Sequence, residues 1–320
     1  MKHLASMAMA LAFISTAHAQ TKWDLPSGYG GNTFQVQNLE WFAQEVDKAT
    51  GGKLKITVHA NASLFKANEI KRAVQSGQTQ IGEFILSSAS NENPLFGVDS
   101  IPFLATNYSD AKKLEQAAQP ALQKLLAGQG LKLLYTVPWP GQSLYSRKPV
   151  ATLADLKGTK MRAYNPATSR IAELVGAQPI TIQLAELPAA LATGAVDNFL
   201  TSSASGVDSK LYEQVKYFYD VNAWLPRNAV VVNQKAFDAL DKATQAAVSA
   251  VAAQAGERGW KMSDEKDDGY LKELQAKGMT IDRTSVALKR ELKSVGDRMA
   301  ADWVKAAGAD GQAVIDAYRK

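Results

Sequence analysis

Pro138-Trp139-Pro140-Gly141 places two prolines and a glycine within four residues, and this interruption separates two series of alternating short strands and helices. Proline fixes φ and removes a backbone donor while glycine frees the chain, so the cluster marks a crossing between units. Before it, Leu39, Phe42, Ala43 and Val46 recur at helical spacing up to Gly51-Gly52. Leu54, Ile56 and Val58 then alternate with polar residues, as on a half-buried strand. A helix over 68–76, an apolar strand over 81–86, a helix over 110–127 capped by Ser109, and a buried strand over 131–137 complete the series. The β-α-β-α order predicts a largely parallel sheet.

After the break, strands are expected at 144–146, 160–163 and 196–201, with Thr152 capping a turn over 153–156 and a short helix over 186–192. The strand at 160–163 delivers Tyr164 and Asn165 to its carboxyl end, and Thr168 is the expected cap of a helix running through Val175. Val221-Asn222-Ala223-Trp224-Leu225-Pro226 reads as a second crossing, because Val230-Val231-Val232 has the apolar run of a strand returning to a covered sheet. Residues 235–277 keep helical spacing with few breaks, bent at Gly256 and Gly259, and one or two amphipathic helices follow Thr280. The fold class is α/β with two hinged lobes, central mixed sheets flanked by helices, and a long lobe-spanning helix. Lobe I takes 20–137 plus about 226–255, and lobe II takes 138–225 plus about 256–320 with the C-terminal helices.

The 320 residues include no Cys and three His. That excludes disulfide frameworks, thiolate metal sites and cysteine nucleophiles, and leaves little imidazole for a catalytic triad. His3 and His18 fall in a leader: a basic Met1-Lys2-His3, an uncharged run over 4–16, and Ala17-His18-Ala19 as a small-x-small cleavage signal. Residues 1–19 are therefore expected to be a signal peptide, exporting a chain that starts at Gln20 and has no membrane span. The apolar run is shorter than the ~20 residues a span requires. His59 sits on the polar side of its strand as a surface histidine. The net charge of +5 is dispersed, without a basic stripe interleaved with aromatics, so nucleic acid is not an expected partner.

The run Ala154-Asp155-Leu156-Lys157-Gly158-Thr159-Lys160-Met161-Arg162-Ala163-Tyr164-Asn165-Pro166 resembles a signature of the solute-binding proteins of TRAP transporters, the tripartite ATP-independent periplasmic family. Val175-Gly176-Ala177-Gln178-Pro179, the short helix at 187–191 and Thr193-Gly194-Ala195-Val196-Asp197 are similar to further family motifs in the same order. So are Gly52-Lys53-Leu54, Gly77-Gln78 and Ile101-Pro102-Phe103 in the first half. The resemblance spans essentially the whole chain after the leader. It implies a two-lobed periplasmic binding protein fold, an organic acid as ligand, small and large membrane subunits as partners, a periplasmic location and no cofactor, with no metal-ligating residue singled out. It also implies hinge closure rather than enzymatic turnover.

Arg162 closes a strand just before a helix start, where a planar guanidinium can meet a carboxylate with two parallel bonds. The matching arginine of the family clamps the ligand carboxylate. Many relatives carry a second arginine after the crossing, where this chain has Gly141-Gln142-Ser143. Arg147, Arg170 or Arg227 would have to supply a second charge. Leu184 stands where many relatives have phenylalanine, and Thr201 matches an asparagine near Asn198 and Phe199. Trp139, Tyr145, Tyr164, Phe199 and Trp224 lie on segments expected near the cleft, as pocket walls or as core. Tyr29, Asn32 and the Ser87-Ser88 strand end, with Asn91 and Glu92 nearby, are candidates for hydrogen bonds from the first lobe. Together these residues favour a monocarboxylate with an apolar or aromatic body. The alternatives are a C4-dicarboxylate, the same role in an ABC importer, or a periplasmic enzyme using Glu83, Glu92 or Glu186.

Overall fold

β1 (Thr21–Pro26) exposes Lys22 and buries Trp23 and Leu25 against α1 (Phe34–Ala49), in a computed structural model that describes residues 20–283 and 285–320. The expected signal peptide lies outside the described residues. α1 starts at Thr33, whose side chain accepts from the Val36 amide, and buries Val36, Leu39, Phe42, Ala43 and Val46. β2 (Leu54–His59) pairs parallel with β1, and α2 (Ile70–Gln75) leads into β3 (Ile81–Ile85). α3 (Tyr108–Gly128) is capped by Asn107 rather than Ser109: Asn107 is extended, and its Oδ1 accepts from the Asp110 amide at 2.9 Å. β4 (Leu131–Pro138) ends at the first crossing.

β5 (Ser143–Ser146), β6 (Lys160–Ala163), α4 (Pro166–Leu174), β7 (Gln178–Thr181), α5 (Leu187–Ala192), β8 (Asn198–Thr201), α6 (Ser203–Asp208) and β9 (Tyr217–Tyr219) follow. α4 is capped by Asn165, three residues earlier than expected. Pro166 suits the first turn because it has no amide to satisfy. Asn165 Oδ1 accepts from the Thr168 amide at 2.8 Å, and the Thr168 hydroxyl accepts from the Asn165 amide at 3.2 Å. The chain then returns through β10 (Arg227–Asn233), α7 (Gln234–Asp238), α8 (Lys242–Ala276), β11 (Thr280–Asp282) and α9 (Val286–Arg319). Among the described residues no helix is long and apolar enough to cross a membrane.

The first lobe differs from a largely parallel sheet. β10 lies between β3 and β4 and runs antiparallel to both, giving the order β3-β10-β4 beside the parallel β1-β2 pair. In the second lobe, β5 is likewise antiparallel to its neighbours β8 and β9 in the order β11-β9-β5-β8-β6-β7. Each crossing therefore feeds one strand, reversed, into the sheet it enters. The two crossings also bond to each other, with Trp139 N–H to Pro226 O, Gln142 N–H to Trp224 O and Ala223 N–H to Gln142 O, each at 2.8 Å. A two-stranded strap of this kind can bend without losing its backbone bonds.

α8 runs unbroken along both lobes. Val248, Val251 and Ala255 pack with α1 and β4, whereas Leu271 and Leu274 pack with Tyr145 and Phe199 of the second lobe. The two glycines are not bends. A Cβ on Gly259 would fall 2.4 Å from Val137 Cγ2 and 2.9 Å from Asn38 Nδ2, so the missing side chain lets the helix press on β4. Residues beyond 256 are not confined to the second lobe as expected from sequence. In α9, Leu288 and Leu292 pack on that lobe, but Val314 joins the first-lobe core and the Tyr318 hydroxyl donates to Leu104 O at 2.8 Å. The helix reaches that lobe before its kink at Gly308, since Trp303 Nε1 already donates to Pro94 O at 2.7 Å. Gly259→Ala should overpack the contact with β4 and lower stability by about 1–3 kcal/mol in urea denaturation; unchanged stability would contradict the close approach.

Candidate functional site

A cleft between the lobes is lined by Gly28, Tyr29, Asn68, Glu83, Phe84, Ser88 and Trp139 from above, and by Gln142, Arg162, Tyr164, Gln183, Leu184, Thr201 and Ser205 from below. β3, β4, β6 and β8 direct their carboxyl ends at the gap, the usual place for a ligand in open α/β sheets, and the reversed β5 and β10 begin there. Seven residues expected from the sequence are brought together: Tyr29, Ser88, Trp139, Arg162, Tyr164, Leu184 and Thr201.

Arg162 is only 3% exposed. Its Nε donates to Ile182 O at 2.8 Å, its guanidinium lies 4.9 Å from the centre of the Tyr164 ring, and neither Nη atom has a protein acceptor among the described residues. Burial lowers its pKa to about 10, which leaves it charged at neutral pH. Arg147, Arg170 and Arg227 do not join it. Arg147 is held by Val196 O and Leu191 O, Arg170 pairs with Glu173, and Arg227 pairs with Asp99 at 3.3 Å. Among the described residues the cleft thus has one arginine.

Opposite stands Glu83, 1% exposed on β3. Its Oε2 accepts from the Ser27 hydroxyl at 2.6 Å and its Oε1 accepts from Asn228 Nδ2 at 2.9 Å. Asn228 Oδ1 in turn accepts from Trp139 Nε1 at 2.9 Å and from the Tyr29 hydroxyl at 3.3 Å. Burial pushes the Glu83 carboxyl up to about 7 against the opposing effect of its two hydrogen bonds. In the sequence, Glu83 reads only as a candidate enzymatic carboxylate, and Gln142 only as a departure from the second arginine. Gly28, Ala67, Asn68, Phe84, Gln183 and Ser205 were not anticipated. A lone carboxylate within the apolar run at 81–86 was the available signal.

The other expected residues do not line the cleft. Asn165, capping α4, reaches across the lobes with Nδ2 to Ser87 Oγ at 2.8 Å, and Asn32 Nδ2 reaches Asp208 O at 3.1 Å. These two bonds join lobe to lobe. Ser143 accepts from the Asn222 amide at 3.2 Å, inside the strap. Tyr145 stacks on Phe199 with ring centres 5.0 Å apart, and its hydroxyl donates to Ser202 O. Trp224 is core, and Asn198 Nδ2 donates to Thr159 Oγ1. Glu92 pairs with Lys71 and Glu186 accepts from the Gln183 amide, so neither pairs with Glu83. His59 lies at the surface against Asp24.

Two hinged α/β lobes closed on a buried cation define a solute-binding protein. The profile of the bacterial extracellular solute-binding protein family 7 matches residues 28–306. The extracytoplasmic solute receptor DctP6 of Bordetella pertussis, which binds pyroglutamic acid, is 55% identical and superposes with a TM-score of 0.92 over 93% of this chain and 99% of its own. A TRAP solute-binding protein from a marine metagenome, specific for pyroglutamate, is 44% identical with a TM-score of 0.92 over 94% of this chain and 99% of its own. A solute-binding protein of Verminephrobacter eiseniae is 31% identical over 83% of this chain and 81% of its own. The chain belongs to the family 7 extracellular solute-binding proteins and is a solute-binding protein of the TRAP type. That family consists of extracytoplasmic receptors rather than enzymes.

The raised Glu83 pKa has a measurable consequence. The unfolded chain releases this proton near 4.5 and the folded chain near 7, so folding is increasingly penalised between those values and the penalty is constant above them. Wild-type stability relative to Glu83→Gln should therefore fall as pH rises from about 4.5 to 7 in urea denaturation. A difference independent of pH would contradict the burial of an ionisable Glu83.

Proposed function

We propose that this protein is the receptor of a TRAP transporter for pyroglutamate or a closely related small cyclic monocarboxylate. The observation that carries the reading is Arg162, buried in the cleft with no protein carboxylate on its Nη atoms. A buried cation without an anion is costly, and a ligand carboxylate would offset that cost while accepting two parallel bonds. The 55% and 44% identity to receptors that bind pyroglutamate supports the choice of acid. A single cleft arginine favours one carboxylate over two. Tyr29, Phe84, Trp139 and Leu184 provide apolar surface for a small ring. In this reading Asn165 and Asn32 act at closure, through Ser87 and Asp208, and not on the ligand. Export depends on residues 1–19, and the closed receptor delivers its ligand to the small and large membrane subunits without a cofactor.

Isothermal titration tests the reading. Pyroglutamate should bind the wild type, and at a hundredfold excess over Kd it should add about 2.7 kcal/mol to stability in a thermal shift. Arg162→Ala should lose about 2–5 kcal/mol of binding, roughly 30- to 5,000-fold in Kd, and Arg162→Lys should recover little. Succinate binding as tightly as pyroglutamate, or full affinity in Arg162→Lys, would contradict it. Ser87→Ala, which removes the lobe-to-lobe bond and leaves the α4 cap in place, should weaken binding by only about 0.5–1.5 kcal/mol, the worth of one hydrogen bond.

A further inference from the structure

The hydrogen-bond polarity around Glu83 can be read without knowing where any proton is, because the chain of partners begins at a group that can only donate. The Trp139 indole N–H has no acceptor capacity. It faces Asn228 at 2.9 Å, so the Asn228 atom there is the carbonyl oxygen. The amide nitrogen of Asn228 must then point the other way, to Glu83 Oε1 at 2.9 Å. On the second oxygen, Ser27 Oγ accepts from the Tyr29 amide at 3.3 Å and gives its own proton to Glu83 Oε2 at 2.6 Å. Both Glu83 oxygens are therefore acceptors toward the protein. In the ionised form, which predominates at the pH 8 of the test below, a carboxylate has about four lone-pair sites, and two remain.

We infer that Glu83 is the specificity-determining residue of the cleft, and that it selects a ligand bearing a ring N–H beside its carboxylate. This rests on the functional reading above. Arg162 presents donors with no protein acceptor, and Glu83, lining the same cleft, presents acceptors fixed by Ser27 and Asn228. An acid that fills both roles carries an acceptor pair at one position and a donor at another. A lactam acid does so, whereas the corresponding lactone has an ester oxygen where the N–H would be. That oxygen would face Glu83 acceptor to acceptor. A site built to take a hydrogen bond rejects an analogue lacking the donor far more strongly than a methylene difference is rejected, because its own buried group is left unpaired.

The test is calorimetric titration at pH 8 of pyroglutamate and of its lactone isostere, γ-butyrolactone-γ-carboxylate, into the wild type and Glu83→Gln. The wild type should prefer the lactam by roughly 100-fold or more. Glutamine keeps the shape of the side chain and can turn its own N–H to the ester oxygen, so the preference in Glu83→Gln should collapse to within about tenfold, through weaker lactam and stronger lactone binding. A merely structural role for Glu83 would weaken both compounds alike and keep the ratio. Equal wild-type affinities, or an unchanged ratio in Glu83→Gln, would overturn this inference and leave the functional reading standing. A wild type that binds neither compound would overturn the functional reading and this inference with it.

Discussion

Arginine is rarely buried without a carboxylate at hand, because taking a charge out of water costs several kcal/mol even after relaxation. Arg162 is held in that condition by one carbonyl, that of Ile182, and by the face of Tyr164. Neither contact cancels its charge, and burial lowers its pKa only to about 10. The surrounding architecture is arranged about this cation. β6 carries it to a sheet end, the Asn165 cap turns the chain away immediately afterwards, and the other lobe closes over it. The cost is offset when an anion enters, which makes the cleft a receptor rather than a core.

Closure depends on how weak the direct lobe-to-lobe bonds are. Asn165 to Ser87 and Asn32 to Asp208 are hydrogen bonds of ordinary length, each worth about 0.5–1.5 kcal/mol net. They define the closed arrangement without enforcing it. Ligand contacts made from both lobes can then shift the equilibrium, since only the closed form offers Arg162 and the first-lobe groups together. The strap formed by 138–143 and 222–227 links the lobes through three backbone bonds of its own, none of which involves the cleft side chains. Asn165 has a double part, because the same side chain starts α4 and reaches across the gap, so the segment that carries Arg162 is tied to the closure itself.

Local patterns were legible in the sequence, and distant pairings were not. Glycine after α1, α2, α4 and α5, alternation in β2 and the proline-rich crossing announce themselves within a few residues. The insertion of β10 between β3 and β4 does not, because it joins Asn228 to Ile85 and to Val137 across intervening elements. The cleft shows the same division. Arg162 could be found because its motif is local and its side chain is long enough to reach the gap. Phe199 and Tyr145 sit side by side on the strand register, under Leu271 and Leu274 of α8, while Thr201, two residues further along the strand, reaches the cleft. Reading depth along a strand needs the covering helix, which lies far away in sequence. Glu83 was hidden for the opposite reason: its neighbours are apolar, so the run reads as core, and its partners Ser27 and Asn228 come from distant parts of the chain.

The central claim is that Arg162 is answered by the carboxylate of the bound acid. A crystal structure of the protein with pyroglutamate tests it most directly. The account predicts two carboxylate oxygens within about 2.7–2.9 Å of the Arg162 guanidinium, in the side-by-side geometry of a charge-assisted pair. A carboxylate bound elsewhere in the cleft, with Arg162 facing only protein or solvent, would contradict it.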